Sequence, residues 1–221
     1  MGQDDTFVRN AEILNIDLSQ VELAVLSHGH YDHGGGLETF LQINEKAPVY
    51  VQETAFGPYY NGTQKYIGLN TAFQHHARLR LVKGSCDLAP GIRLFDCNDL
   101  MWHCDSWGLN CKERDHFIPD SFCHEQYLEI TEGERRILIS GCSHKGIVNI
   151  AHHFHPHVLI GGFHLSKETD ADRLRTIGKA LFAENTVYYT GHCTGSRQYA
   201  VLKEIMGNRL ESLSAGSSFE I

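Results

Sequence analysis

The sequence predicts an α/β fold, formed by one domain over residues 1–221. Short apolar runs of the strand type alternate with segments of helical periodicity, and no repeat or low-complexity linker separates them. A chain of 221 residues with 42% hydrophobic residues can fill one sizeable core. Histidines follow several of the apolar runs, as is usual for sites at strand ends in α/β proteins. Together these observations predict two packed sheets covered by helices.

The individual elements follow from the spacing of apolar residues. Helices are predicted over 5–14, 37–43, 146–154, 169–182 and 196–206. Strands are predicted over 23–26, 49–51, 79–82, 92–95, 127–130, 137–139, 158–160 and 187–189. Ser19 and Glu22 form a capping-box pattern just before the first clear strand.

A cluster of histidines follows that first strand. The run 27–36 reads Ser-His-Gly-His-Tyr-Asp-His-Gly-Gly-Gly and contains His28, His30, Asp32 and His33. Its glycines let the chain leave the strand end in conformations that other residues avoid. Neutral imidazole and carboxylate oxygen suit a borderline divalent ion, namely zinc, manganese or iron. The run therefore predicts a metal site rather than a set of solvated loop histidines.

Three later histidines repeat this arrangement. His144, His164 and His192 each follow an apolar run, at spacings of 20 and 28 residues. One such histidine is more often a structural residue than a ligand. Three histidines that each follow an apolar run, as the first cluster does, predict further metal ligands.

Residues 28–33 resemble the His-x-His-x-Asp-His signature of the metallo-β-lactamase superfamily. Within it, five segments resemble the branch named after the dihydropterin-methyl-ribofuranosylaminobenzene phosphate synthase of the methanopterin pathway: 26–37, 120–126, 140–149, 161–165 and 190–195. The resemblance implies an αββα sandwich. These motifs specify the branch well and the substrate poorly.

The resemblance also implies roles for the site residues. It implies two divalent ions, for which zinc is expected ahead of manganese or iron. The ligands that it assigns to the first ion are His28, His30 and His144, and those of the second are Asp32, His33 and His192. His164 replaces the usual bridging aspartate and is expected to be either a ligand or a transition-state donor. Asp32 is also expected to orient the attacking water. Asp32 and His164 are therefore the predicted catalytic residues.

These roles predict a hydrolase with a dinuclear centre, which activates water against a small phosphorylated or otherwise anionic substrate. His30 stands where electron-transferring di-iron relatives carry glutamate, which favours hydrolysis over oxygen reduction. Two alternatives stay open. One is a synthase that uses a pterin diphosphate, as the branch name implies, and the other is a non-catalytic metal-binding module.

Several other groups have two interpretations each. Thr194 and Gly195 predict either a plain helix start or a phosphate site at its N-terminus. Cys142 and Cys193 are more readily explained as buried thiols than as soft metal ligands. The histidines in 152–157 resemble a metal-binding tract, but their position across a helix end favours a solvated surface. The region 102–123 shows little periodicity and predicts a lid or pocket wall.

The composition limits the classes of binding partner and the cellular location that we expect. A net charge of -8 argues against nucleic acid as the main partner. The sequence shows neither a signal peptide nor an apolar span of membrane length, so no membrane partner is expected. Seven cysteines without a Cys-x-x-Cys pair fit reduced thiols, which predicts a cytoplasmic protein.

The start of the chain departs from the family pattern. Only 27 residues precede the first predicted ligand, and Met1 and Gly2 fall where the resemblance expects the end of an Asp-x-Gly motif. The fold is therefore expected to be short of its N-terminal hairpin, which would expose a sheet edge. We expect that edge to be covered, for example in a homodimer.

Overall fold

A computed structural model describes residues 1–220. The chain divides into two compact units, the first formed by Met1–Cys86, Asp96–Asp99 and Gly108–Gln126 and the second by Asp87–Phe95, Leu100–Trp107 and Tyr127–Ile221. The single domain over 1–221 stays a prediction. No helix within the described range is long and apolar enough to cross a membrane.

Helices and strands are numbered in chain order. The helices α1 to α6 are Thr6–Ile13, Tyr31–Gly34, Leu37–Ile43, Ile147–Phe154, Ala171–Ala183 and Ser196–Met206. The strands β1 to β14 are Ala24–Val25, Val49–Gln52, Tyr59–Asn61, Lys65–Tyr66, Leu79–Val82, Cys86–Ala89, Ile92–Phe95, Leu109–Glu113, His116–Pro119, Tyr127–Glu132, Arg135–Ile139, Val158–Ile160, Val187–Thr190 and Leu210–Ser212. Short 3-10 helices lie at Leu18–Gln20, Thr71–Phe73, His192–Thr194 and Gly207–Arg209.

The first unit contains a parallel sheet in the order β1-β2-β5. Val49 and Val51 on the central strand are fully buried, and they share one apolar core with Phe40 and Leu41 of α3. Leu26, which directly follows β1, is also part of this core. The core therefore fixes the end of β1, where the first histidine cluster begins.

A second, antiparallel sheet in the first unit has the order β4-β3-β8-β9. None of these four strands was predicted from the sequence. The turn between β8 and β9 contains Arg114 and Asp115 instead of glycine, and Arg114 takes the left-handed conformation with φ 54°. The turn signal that marks a hairpin in a sequence is therefore missing here.

The second unit contains a seven-stranded sheet in the order β14-β13-β12-β11-β10-β7-β6. Strands β11 to β14 run parallel, and β10 pairs antiparallel with β11 and β7. Leu138, Leu159 and Tyr188 are in register on three adjacent strands and are fully buried. Continuous apolar runs are typical of parallel strands that are covered on both faces. His144, His164 and His192 follow the carboxyl ends of these same strands.

The predicted helices and strands are present, and the α/β fold class is confirmed, with differences in detail. The described residues form three sheets instead of the two expected. The capping-box prediction at Ser19 is wrong, because Asp17 caps the 3-10 helix and accepts the Ser19 N–H at 2.9 Å. Strands β6 and β14, like those of the small sheet, were not predicted from the sequence.

Candidate metal centre

The first histidine cluster forms where the chain leaves β1 and enters the short helix α2. The ligand atoms of His28, His30 and Asp32 lie within 4.8 Å of one another. Both imidazoles are buried, and their ring centroids are 4.8 Å apart. His33, whose ring centroid is 4.0 Å from that of His28, completes the predicted group in this unit. The sequence motif therefore forms a compact set of donors.

Gly29 separates the two buried histidines, and its lack of a side chain is required by the packing. A Cβ atom added at Gly29 would overlap the carbonyl oxygen of Ala55. This neighbour is main chain, so it cannot move aside as a flexible side chain would. The close approach fixes the chain between His28 and His30.

The donor set in this unit fits a borderline divalent ion. Imidazole nitrogen and carboxylate oxygen are the donors that zinc prefers when thiolates are absent. Ser27 supports the rings, since its Oγ lies 3.1 Å from His28 Nδ1 and 3.4 Å from His33 Nδ1. Partners of this kind orient metal-binding imidazoles in known sites.

Asp120 and His124 form a buried pair next to His30. His124 Nδ1 accepts the Gly29 N–H at 3.0 Å, so its proton is assigned to Nε2, which donates to Asp120 Oδ2 at 3.1 Å. Asp120 Oδ2 also lies 3.9 Å from His30 Nε2. Burial raises the pKa of the Asp120 carboxyl, but the hydrogen bond from His124 and the interaction with the nearby His30 imidazole outweigh it and hold that pKa well below its ordinary value. Asp120 therefore faces the cluster as a carboxylate.

Gln126 ties the same segment to the strand ends. Its main-chain N–H donates to the Ser27 carbonyl at 2.8 Å, and its Nε2 donates to the carbonyls of Leu26 at 2.8 Å and Tyr50 at 3.1 Å. Sequence analysis assigned the segment 120–126 to the family pattern without giving its residues a role. The run of polar residues in that segment is the signal from which a buried network could have been inferred.

In the second unit, two predicted ligands lie together. The rings of His144 and His164 have centroids 4.2 Å apart, and His144 is buried while His164 is half-buried. His192 follows the next strand and is exposed. His164 and His192 both have φ 48°, and Ser143 before His144 has φ 58°. Left-handed conformations at non-glycine residues are unfavourable and often mark functional sites.

Hydrogen bonds hold these left-handed loops. Thr194 Oγ1 accepts the Phe163 N–H at 3.0 Å and lies 2.6 Å from Thr190 Oγ1. The Cys193 sulfur accepts the His164 N–H at 3.3 Å. Thr194 and Cys193 therefore help to hold the loop beside His164.

A cavity of about 180 Å³ adjoins His144 and His164. Trp107 and Arg173 line it, and the Arg173 guanidinium lies 5.4 Å from the centre of the Trp107 ring. Arg173 also forms ion pairs with Asp105 and, at 3.2 Å, with Glu168. Residues 103–107 thus contribute to a pocket wall, one of the two interpretations given for this region, whereas 109–119 form β8 and β9.

Comparison with known proteins identifies the class. The model of the metallo-beta-lactamase superfamily matches residues 2–192, and the chain belongs to this superfamily. The 7,8-dihydropterin-6-methyl-4-(beta-D-ribofuranosyl)-aminobenzene-5'-phosphate synthase of Methanocaldococcus jannaschii is 28% identical over 94% of this chain and 78% of its own length.

Solved structures agree with this assignment. A metal-dependent hydrolase of the β-lactamase superfamily has a TM-score of 0.80 and 28% identity, covering 100% of this chain and 86% of its own. Zinc-bound PqqB from Methylobacterium extorquens has a TM-score of 0.56 and 11% identity, covering 90% of this chain and 73% of its own. The second likeness concerns the fold alone. The chain thus has the metallo-β-lactamase fold, and this fold implies divalent metal binding.

Proposed function

We propose that this protein is a hydrolase that uses two divalent ions, zinc foremost, to activate water against a small phosphorylated or otherwise anionic substrate. The observation that carries the proposal is the convergence of His28, His30 and Asp32 within 4.8 Å in a chain of this superfamily. The solved metal-dependent hydrolase at 28% identity supports the same reaction class.

In such a site the ions and the protein side chains have different chemical roles. When bound, divalent ions make water nucleophilic at neutral pH and polarise a phosphoryl or carbonyl oxygen of the substrate. In this proposal His28, His30 and His144 are ligands of one ion, and Asp32, His33 and His192 are ligands of the other. Asp32 would orient the water through its carboxylate, because a carboxylate accepts a hydrogen bond from water.

The anionic substrate class follows from the proposed ions, because divalent cations polarise and bind phosphoryl or carboxyl oxygens. The cavity in the second unit adjoins His144 and His164 and is lined by Trp107 and Arg173. Arg173 is already paired there with Asp105 and Glu168, so its guanidinium shapes the wall of the cavity.

The test combines metal analysis with a panel of phosphomonoesters and phosphodiesters. We expect His28→Ala and His144→Ala to lose metal and turnover together, because removing one ligand weakens a site whose free energy is shared among all. His75→Ala, which removes an exposed histidine, is the matched control and should keep both. Full metal and full turnover in either ligand variant would falsify the assignment.

His164→Ala separates the two roles proposed for His164. Loss of metal with loss of turnover identifies His164 as a ligand. Loss of turnover at full metal content identifies it as a donor to the transition state, since an interaction made only there changes the rate and not the occupancy. A variant with normal metal and normal rate would exclude both roles.

A synthase that uses a pterin diphosphate is the second candidate. The relative that carries a synthase name is 28% identical over 94% of this chain, and that observation favours it. Incubation with a dihydropterin diphosphate and an aminobenzene ribofuranosyl phosphate, followed by mass spectrometry, would detect the joined product and released diphosphate. Product formation supports the synthase, whereas ester hydrolysis alone supports the hydrolase. Metal occupancy without either reaction supports a non-catalytic metal-binding module.

A further inference from the structure

A second group of metal-binding side chains lies elsewhere in the second unit. His152 Nδ1 is 3.1 Å from Glu184 Oε1, and His155 Nδ1 is 2.7 Å from Glu184 Oε2. The ligand atoms of these three residues lie within 4.8 Å of one another. We call His152, His155 and Glu184 the surface triad.

The surface triad is separate from the predicted metal ligands of this unit. His155 precedes β12 and Glu184 precedes β13, whereas His164 and His192 follow those strands. Because β12 and β13 run parallel, the triad lies at their amino ends and the predicted ligands lie at their carboxyl ends. An additional metal in the triad would therefore not share a ligand with the proposed hydrolytic centre.

We propose that the surface triad binds one divalent ion of the zinc type. Two imidazole nitrogens and a carboxylate are a three-ligand zinc set that leaves a fourth, tetrahedral position for water. Zinc–ligand bonds of about 2.0 Å place neighbouring tetrahedral donors about 3.3 Å apart. The two imidazole nitrogens now lie 3.1 and 2.7 Å from different oxygens of Glu184, and one ligand atom of each residue lies within 4.8 Å of the others, so side-chain rotations would bring the three donors to that spacing. The His152 and His155 side chains are 76% and 57% exposed, so an ion can enter from solvent.

The position of the triad on the helix favours a cation. His152 lies in the last turn of α4, and His155 is its C-cap with φ 43°. The C-terminal end of a helix carries partial negative charge, which stabilises a positive ion. The left-handed cap position usually holds glycine or asparagine, so histidine there is an unusual choice.

Two arginines fix the main chain around the triad. Arg136 donates to the carbonyls of Phe154 at 2.8 Å and His155 at 2.7 Å, and Arg209 donates to the Glu184 carbonyl at 2.9 Å. Both guanidiniums bind main-chain oxygens here, so the Glu184 carboxylate keeps its two imidazole partners. These bonds fix the main chain from which the His155 and Glu184 side chains extend.

The structure separates the histidines of the tract that sequence analysis treated together. His157 Nδ1 accepts the Arg136 N–H at 3.1 Å, and the His153 ring lies 5.4 Å from that of Trp102. Neither belongs to the triad. The four histidines of the tract are exposed, as the interpretation of a solvated surface predicts. In addition, His152 and His155 both contact Glu184.

The test measures zinc content at a fixed free zinc concentration in wild-type protein and three variants. His155→Asn removes the imidazole while suiting the left-handed conformation, and Glu184→Gln removes the carboxylate charge. Each should lower the zinc content by one ion per chain, with affinity at this site weakened by at least about 10–100-fold. His153→Ala is the matched control and should equal the wild type.

A second measurement needs no variant of the triad. Carbethoxylation of histidines, mapped by peptide mass spectrometry, should be suppressed by zinc at His152 and His155 and not at His153. The same protection should persist in His28→Ala, which makes this result independent of the proposed hydrolytic centre. Equal zinc content in all variants, or equal labelling with and without zinc, would overturn the proposal and leave the triad as a hydrogen-bonded clasp.

Discussion

At the scale of single residues, the carboxylate of Asp120 defines how His30 is held. Asp120 is 5% exposed, receives a hydrogen bond from the fully buried His124, and lies 3.9 Å from His30 Nε2. Metal-binding histidines commonly pair with a carboxylate that sets their orientation. Asp120 is thus a positioning residue in the proposed site.

Asp120→Asn tests this role with almost no change of shape. We expect metal affinity to fall about 10–100-fold while the fold is kept, because the amide cannot supply the negative charge beside His30. Competition with a chromophoric chelator measures the affinity. The exposed Asp115→Asn is the control and should bind metal normally. If Asp120→Asn bound metal as the wild type does, the carboxylate would serve only its own loop, where it accepts the Phe122 N–H at 2.8 Å.

The sequence predicted the histidines of this site but not their supports. His28, His30, Asp32 and His33 lie within six residues after a strand, so a local pattern was sufficient. The contact between His124 and Gly29 joins positions 95 residues apart. Such a contact depends on how the chain returns to the strand end, and no local periodicity encodes that return.

At the scale of elements, Gln126 links β1 and β2 at the end that bears the first histidine cluster. Its side chain is 1% exposed and donates to carbonyls after β1 and within β2. Because the two strands are short, these additional hydrogen bonds help to fix the position of the histidine loop that follows β1.

Gln126→Ala should therefore destabilise the protein by about 1–3 kcal/mol, because the Leu26 carbonyl loses a buried hydrogen bond and the Tyr50 carbonyl keeps only the Leu26 N–H. Urea unfolding measures the change. Gln42→Ala, at an exposed position of α3, should stay within about 0.5 kcal/mol of the wild type. Equal unfolding midpoints for the two variants would show that the strands hold together without Gln126.

The elements themselves were predictable where the periodicity is strong. Helix α6 was predicted with the bounds that the structure has, and α4 differs by one residue. The strands of the small sheet could not be predicted, since Tyr59–Asn61 and Lys65–Tyr66 are too short to show alternation. The parallel pairing of β1 with β2 joins segments that are far apart in the chain, and a sequence pattern gives no pairing partner.

At the scale of the whole molecule, metal binding should raise stability by mass action. A ligand that binds only the folded state at 100 times its dissociation constant stabilises it by about 2.7 kcal/mol. We expect a chelator to lower the melting temperature and added zinc to restore it. Differential scanning calorimetry provides the measurement.

His28→Ala serves as the internal comparison for that experiment. Its melting temperature should respond less to the chelator, because one predicted ligand is absent. A wild-type protein whose melting temperature is the same with and without the chelator would contradict metal binding to the folded state.

The left-handed loops of the second unit have a consequence for the choice of metal. Their hydrogen bonds, from Phe163 to Thr194 and from His164 to Cys193, join protein groups to one another. Loops fixed in this way set where the His164 imidazole begins, so the geometry of the site, together with cellular supply, would select among zinc, manganese and iron.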